Sequence, residues 1–171
     1  ANLVRNSWGT RTSYNTKTGA FTYRNDNVNG NWDAKLAAGF SRSIDKQHRF
    51  RFSADAKLGY VRSVDFDIDY DNKGAELSKV NTWSPSVGAS LTYQLKDFLW
   101  KVKGKYEGKY SCSNLEIFED IKACDFQYGT ELQYTIPWMK VGIQTDLTMF
   151  TRKGYNSNEM NTDDLVWNAM L

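Results

Sequence analysis

The sequence WSPSVGASLTYQL, residues 83–95, alternates strictly between two sets of side chains. Successive side chains of an extended strand point to opposite faces, so the odd-numbered residues share one face. That face carries Trp83, Pro85, Val87, Ala89, Leu91, Tyr93 and Leu95. The ten positions from Trp83 to Tyr93, at ~3.3 Å per residue and a tilt of ~40°, span roughly 25 Å. This is the height of the apolar band on an outer-membrane β-barrel.

Five further segments show the same alternation, whereas no segment has the three-and-four spacing of an amphipathic helix. They are residues 32–40, 50–60, 98–110, 126–136 and 139–149. Residues 4–14 and 165–171 are expected to form the first and eighth strands. The pattern predicts an all-β fold, an antiparallel up-and-down meander of about eight long strands, forming an outer-membrane β-barrel or an arc of a larger one.

The predicted connections alternate in length. Short turns are expected at residues 45–47, 96–97 and 137–138, and long polar loops at 15–29, 71–79, 113–120 and 153–163. Outer-membrane barrels have short periplasmic turns and long external loops. The loop pattern therefore favours the same class of fold as the strands.

Opposed residues of an antiparallel pair lie on the same face, which allows the strand registers to be predicted. Pairing Leu95 with Phe98 sets Trp83 opposite Tyr110, and pairing Ile136 with Met139 sets Tyr134 opposite Val141. Both registers place apolar residues against apolar residues.

Two cysteines, Cys112 and Cys124, stand at the two ends of one predicted loop. This spacing favours a structural disulfide in an oxidising compartment, with two free thiols as the alternative. The register that pairs them also sets Lys105 opposite Glu131 and Tyr110 opposite Phe126.

Composition limits the classes of protein that the chain can belong to. The mean hydropathy is −0.63, and no run approaches the ~20 apolar residues of a membrane helix. The net charge is +2 with both signs interspersed, so nucleic acid is not an expected partner. A soluble β-sandwich binding module remains the alternative, since it also alternates, but its strands average about five or six residues.

Several polar residues were weighed as sites of chemistry. A calcium site formed by Asp65, Asp67, Asp69 and Asp71 is disfavoured because the residue order does not match the calcium-binding loop. His48, the single histidine, is predicted to be a surface residue at a short turn. We find no catalytic triad, phosphate loop or zinc spacing, and therefore predict neither an enzyme, even an outer-membrane barrel enzyme, nor a cofactor or metal.

A basic row on the 98–110 strand was also weighed. It comprises Lys101, Lys103, Lys105 and Lys109. It can attract an anionic solute, but pairing with Glu131, Asp125 and neighbouring strands is the favoured interpretation.

Two stretches resemble a known family. NVNGNWDAKLAAGFSRSID (27–45), approached by TGAFTYRND (18–26), and NTDDLVWNAML (161–171) are similar to the C-terminal β-barrels of TonB-dependent receptors. The resemblance implies the outer membrane of a Gram-negative bacterium and uptake of a solute that it does not specify. Its expected partners are outer-membrane lipid and the remaining strands and plug of the parent barrel. Residues 1–171 are then a single barrel region, a fragment without its plug or its TonB-contacting segment.

Overall fold

The computed structural model describes residues 2–4, 7–71, 73–115 and 119–171. These residues form strands and one three-residue 3-10 helix, Asn158–Met160, which precedes the last strand. The strands are β1 (Asn2–Val4), β2 (Ser7–Asn15), β3 (Ala20–Val28), β4 (Asn31–Ser43), β5 (Phe50–Phe66), β6 (Asp69–Tyr70), β7 (Leu77–Leu95), β8 (Phe98–Ser113), β9 (Ile121–Ile136), β10 (Val141–Lys153) and β11 (Asp163–Met170).

The larger sheet has the order β1-β4-β5-β7-β8-β9-β10-β11. From β4 to β11, neighbours in the sheet follow one another along the chain once the short β6 is set aside, so the sheet is an antiparallel up-and-down meander. The predicted all-β fold with an antiparallel up-and-down meander of long strands is therefore confirmed. β7, with 19 residues, is more than three times as long as the ~5–6 residues of an average strand.

The first strand and the first loop were predicted wrongly. Of residues 4–14, Val4 ends the short β1 of the larger sheet, and residues 7–14 belong to β2 of a second sheet with the order β3-β2-β6. Residues 5 and 6 lie outside the described part. The expected polar loop at 15–29 contains β3, which pairs with β2 over its whole length. The side chains of β3 are mostly exposed, so many of them are polar and show no clear apolar alternation. The strand could not be recognised from its sequence because it is held by backbone pairing.

The other predicted connections lie near their expected positions, but two short turns are longer than predicted: they comprise residues 44–49 and 137–140 instead of 45–47 and 137–138. The short turns are marked by residues with positive φ, His48 (56°), Lys96 (48°) and Lys140 (52°). The loops at 71–79 and 113–120 include residues 72 and 116–118, which lie outside the described part, and β7 already begins at Leu77. Residues 154–162 connect β10 to β11, close to the predicted bounds.

Residues of the chain cluster into two compact units. The first comprises Ala1–Lys35, Gly59–Trp83 and Tyr110–Ile121, and the second Leu36–Leu58, Ser84–Lys109 and Lys122–Leu171. The buried apolar residues of the first unit are Val28 and Val64, and that of the second is Ala123, among the described residues. Both units therefore depend mainly on strand pairing and have very small cores.

A polar cluster stabilises the small core of the first unit. The Asn31 amide donates to Ser7 Oγ (2.8 Å) and to the Val64 carbonyl (3.3 Å), and so joins three strands. Asp69, only 2% exposed, accepts hydrogen bonds from Arg11 Nη2 (3.0 Å) and the Gly74 N–H (2.9 Å). Burial alone raises the pKa of Asp69, but the bonds from Arg11 and Gly74, with the Arg11 charge, hold that pKa below the ordinary value of 3.8.

We expect Asp69→Asn to loosen β2 from β6, because the Arg11 guanidinium then loses its charged partner. A lowered pKa means that the Asp69 contribution is present above pH 3.8 and is lost as the pH falls through the folded-state value. Hydrogen exchange of the β2 amides, corrected for intrinsic rates, should be faster in the variant at pH 7, and the difference from wild type should disappear as the pH falls through the folded-state pKa of Asp69. Asp26→Asn, on exposed β3, is the control, and equal protection in both variants at pH 7 would contradict the prediction.

Candidate lipid-facing surface and polar face

The apolar positions predicted for each strand form one face of the larger sheet, which carries an aromatic row near each end. In the first unit, the Tyr60 ring lies 4.5 Å from those of Trp32 and Trp83. In the second unit, Tyr93 contacts Phe50 (4.6 Å) and Phe98 (6.2 Å). Each row joins three strands, because neighbouring strands present their aromatic residues on the same side.

Large apolar side chains between these rows are exposed. Val87, midway along its strand, is 52% exposed. The same holds for Leu58, Leu91, Val102, Leu132, Ile143 and Leu147. An apolar surface repeated over so many adjacent strands is far larger than the isolated apolar residues that soluble monomers expose. Such a face requires an apolar surrounding.

Tryptophan N–H groups on this face are paired within the sheet. Trp100 Nε1 donates to Thr130 Oγ1 at 2.8 Å, and Trp167 Nε1 donates to Thr145 Oγ1, also at 2.8 Å. The Thr130 hydroxyl in turn donates to the Lys101 carbonyl (3.2 Å). In hydrocarbon no water is present to satisfy an indole N–H, so an internal acceptor is needed. Neither threonine could be predicted as an acceptor from the sequence, because its indole partner lies on another strand.

Replacement of Thr130 by Val should leave the Trp100 N–H without its acceptor. We expect unfolding from detergent micelles to become easier by about 1–2 kcal/mol, measured by urea titration of tryptophan fluorescence. Thr135→Val is the matched control, because Thr135 lies on the opposite face of the same strand. Equal losses for the two variants would show that the indole bond contributes nothing.

The predicted register between β7 and β8 agrees with the structure. Setting Trp83 opposite Tyr110 also sets Thr82 opposite Ser111, and the hydroxyls of Thr82 and Ser111 lie 2.8 Å apart. The prediction succeeds here because the two-residue turn, 96–97, leaves no freedom in the register.

The register between β9 and β10 was predicted wrongly by two residues. Ile136 opposes Val141 instead of Met139, and Tyr134 opposes Ile143. The turn contains four residues, 137–140, and the Lys140 N–H closes it on the Ile136 carbonyl (2.9 Å). An even shift preserves the face, so no residue changes sides, but Leu132 now opposes Thr145 and Leu147 opposes Thr130.

The register proposed between β8 and β9 is also wrong. It sets Thr135 opposite Lys101, but the Thr135 N–H donates to the Asp97 carbonyl (2.9 Å), and Phe126 packs on Tyr106 at 5.0 Å. Lys105 pairs with Glu107 (2.9 Å) and not with Glu131. The register offers no support for a Cys112–Cys124 bond, and both cysteines are free thiols in the structure, Cys112 exposed and Cys124 partly buried. The disulfide itself stays a prediction.

Alkylation distinguishes the disulfide predicted from the sequence from the free thiols of the structure, which predict that both cysteines are available. Iodoacetamide added without reductant should modify exposed Cys112 first and Cys124 more slowly, adding two adducts in all. Intact mass before and after modification measures this directly. A mass two daltons lower than that of the reduced chain, with no adducts formed, would establish the disulfide instead.

The four aspartates at positions 65, 67, 69 and 71 do not act together in the structure. β5 ends at Phe66, so the four carboxylates do not lie along one strand. Asp69 binds Arg11, whereas Asp71 accepts from the Thr16 hydroxyl (2.7 Å) and N–H (2.8 Å), which lowers the pKa of Asp71. Within the described ranges, no three His, Cys, Asp or Glu side chains are grouped as metal ligands.

His48 is exposed in the β4–β5 turn, as predicted for a surface residue. The turn is organised by Asp45, whose carboxylate accepts from the N–H groups of Phe50 (2.8 Å) and Arg49 (3.1 Å). These bonds, that from Phe50 foremost, lower the pKa of Asp45. The structure thus gives the carboxylate nearest to His48 along the chain a backbone-capping role.

The expected pairing of the basic row with Glu131 and Asp125 is not found. Glu131 accepts from Gln144 Nε2 (3.3 Å), and Asp125 accepts from the Tyr155 hydroxyl (3.0 Å). Burial, together with the Asp125 carboxylate, raises the pKa of Tyr155. The contact between Tyr155 and Asp125 could not be predicted from the sequence, because Tyr155 lies in the loop after β10 and Asp125 lies on β9.

No protein-family model, curated protein or solved structure matches the chain. Among the described residues, no helix is long and apolar enough to cross a membrane.

Proposed function

We propose that this chain is part of an outer-membrane β-barrel transporter or receptor of a Gram-negative bacterium. Its parent takes up a solute with energy delivered through TonB, and the plug and coupling segments lie outside these residues. The apolar face contacts outer-membrane lipid, and the opposite face lines the lumen. The import step is supported by the resemblance of residues 27–45 and 161–171 to receptor barrels.

One observation carries the membrane assignment. The exposed apolar face has aromatic rings near both ends: Phe50 and Tyr60 on β5, and Trp83 and Tyr93 on β7, are each ten positions apart. With strands tilted by ~40°, that separation corresponds to roughly 25 Å along the membrane normal. Aromatic girdles at this spacing are typical of transmembrane barrels.

Two further observations support lipid as the surrounding medium. Trp100 and Trp167 donate their N–H groups to threonine hydroxyls on neighbouring strands, as a dry surrounding requires. In the second unit the described buried apolar residue is Ala123 alone. A soluble β-sandwich would instead bury its apolar face on a second sheet. No observation favours the sandwich or a barrel enzyme.

Adjacent residues on β7 provide the sharpest test. Val87 lies midway on the apolar face and Ser86 on the polar face, so Val87→Arg moves a charge into the lipid midplane whereas Ser86→Arg does not. We expect Val87→Arg to destabilise the vesicle-inserted protein by about 2–4 kcal/mol and Ser86→Arg to have little effect. Denaturant titration in phosphatidylcholine vesicles, followed by tryptophan emission, measures both.

The variants Val87→Arg and Ser86→Arg also show whether the apolar face is surrounded by lipid or by water. In a soluble protein an exposed Val87 can be replaced by Arg with a change of at most about 0.5 kcal/mol. Equal stability of the two variants, with no blue shift of tryptophan emission when vesicles are added, would overturn the membrane assignment.

A further inference from the structure

The polar face of the second unit carries a row of cations that lack acidic partners. Lys101 and Lys103 lie on β8, and Arg51 lies on β5. In the described part of the chain, none of these three side chains forms an ion pair; the ion pairs found join Arg11 to Asp69 and Lys105 to Glu107. Like charges placed side by side repel one another, so the row costs stability unless an anion is bound.

Two adjoining cavities open beside these cations. One, of about 280 Å³, is lined by His48, Arg49, Arg51, Thr92, Gln94, Leu99, Lys101 and Glu131. The other, of about 200 Å³, is lined by Ser53, Asp55, Gly88, Ala89, Ser90, Lys101, Lys103, Gly104, Lys105 and Gln127. Lys101 belongs to both, so the two cavities adjoin at this side chain.

Charge in the first cavity is unbalanced. Arg49, Arg51 and Lys101 face a single carboxylate, Glu131, which is already engaged by Gln144. In the second cavity Lys105 is paired with Glu107, and Lys101 and Lys103 face the single lining carboxylate, Asp55. Gly88 makes room for that carboxylate, because a Cβ at this position would lie 2.7 Å from Asp55 Oδ1. Both cavities therefore keep an excess of positive charge.

We propose that an anion site, which we define as Arg49, Arg51, Lys101 and Lys103, binds a solute that carries two or more anionic groups. Lys101 and Lys103 are two residues apart on one strand, so their Cα atoms are ~6.6–6.8 Å apart. That spacing suits two oxyanion groups of one ligand better than a single small ion. Hydroxyls and amides at Ser53, Ser90 and Gln127 can bind the ligand's neutral polar groups. Among the described lining residues of the two cavities there is no Phe, Tyr or Trp, so recognition rests mainly on charge and hydrogen bonds.

This inference rests on the proposed function in taking the polar face as the one that a solute meets. The binding step itself can be measured without a membrane. The protein in zwitterionic detergent micelles is titrated calorimetrically with tripolyphosphate or citrate, which distinguish phosphate from carboxylate recognition, and with acetate as the monovalent comparison. We expect saturable binding of a multivalent anion, at least about tenfold tighter than acetate, that weakens as salt is added.

Charge variants test which side chains are responsible. The double variant Lys101→Gln with Lys103→Gln should bind about tenfold or more weakly, because each lysine donates a charge-assisted hydrogen bond. Lys109→Gln removes the same charge from the same strand outside both cavities and should change the affinity less than about twofold. Replacing both lysines by Arg should retain binding. Glu131→Gln should strengthen binding, an effect that general damage to the fold would not produce.

The outcomes separate this inference from the proposed function. Absence of saturable binding by tripolyphosphate and citrate, or equal losses in the double variant and Lys109→Gln, would overturn the anion site. Neither result affects vesicle insertion, which depends on the opposite face. Conversely, failure of vesicle insertion with intact anion binding would reject the membrane assignment and leave the site. Far-ultraviolet circular dichroism of each variant confirms that the sheet is present.

Discussion

The two-residue period of the β-strand is the constraint on which the rest of this structure depends. Each strand of the larger sheet must present its apolar set to the same side, because a slip of one residue would place charges among leucines. The short turns accommodate this. Positive φ at His48, Lys96 and Lys140 reverses the chain within two to six residues, so that neighbouring strands stay in phase. Aromatic rings in contact across three strands are the consequence.

The period also explains what could be predicted from the sequence and what could not. Alternation indicates which residues of a strand share a face. For the six central strands, the residues of the apolar face were predicted correctly. Alternation does not distinguish registers that differ by two or four residues, since each preserves the face. Ile136 therefore lies opposite Val141, and Phe126 packs on Tyr106, with no apolar residue moved to the polar side. Where the turn was tight, at 96–97, the register was also predicted correctly.

Residues 7–28 were harder to predict, because pairing between the backbones of β2 and β3 stabilises them more than a buried face does. β3 contains Asn and Asp residues, which have low strand propensity, and lies on β2 with its side chains mostly exposed. Its aromatic contacts, such as Tyr14 with Phe21 at 4.7 Å, are local. The ion pair between Arg11 and Asp69 joins residues that are far apart along the chain. A repeating pattern along the sequence cannot predict an ion pair between such distant residues.

An apolar face and a charged face on the same strands make different demands on their surroundings. On the apolar face the indole N–H groups of Trp100 and Trp167 are satisfied within the sheet, as a hydrocarbon surrounding would require. On the other face Lys101, Lys103 and Arg51 are left without ion pairs, a state that is tolerable only where water or a ligand reaches them. Both demands would be met in the proposed barrel, where one face of the sheet contacts lipid and the other lines an aqueous lumen. In that setting the unpaired cations would give the lumen wall a preference for anions, which is the anion site that we propose.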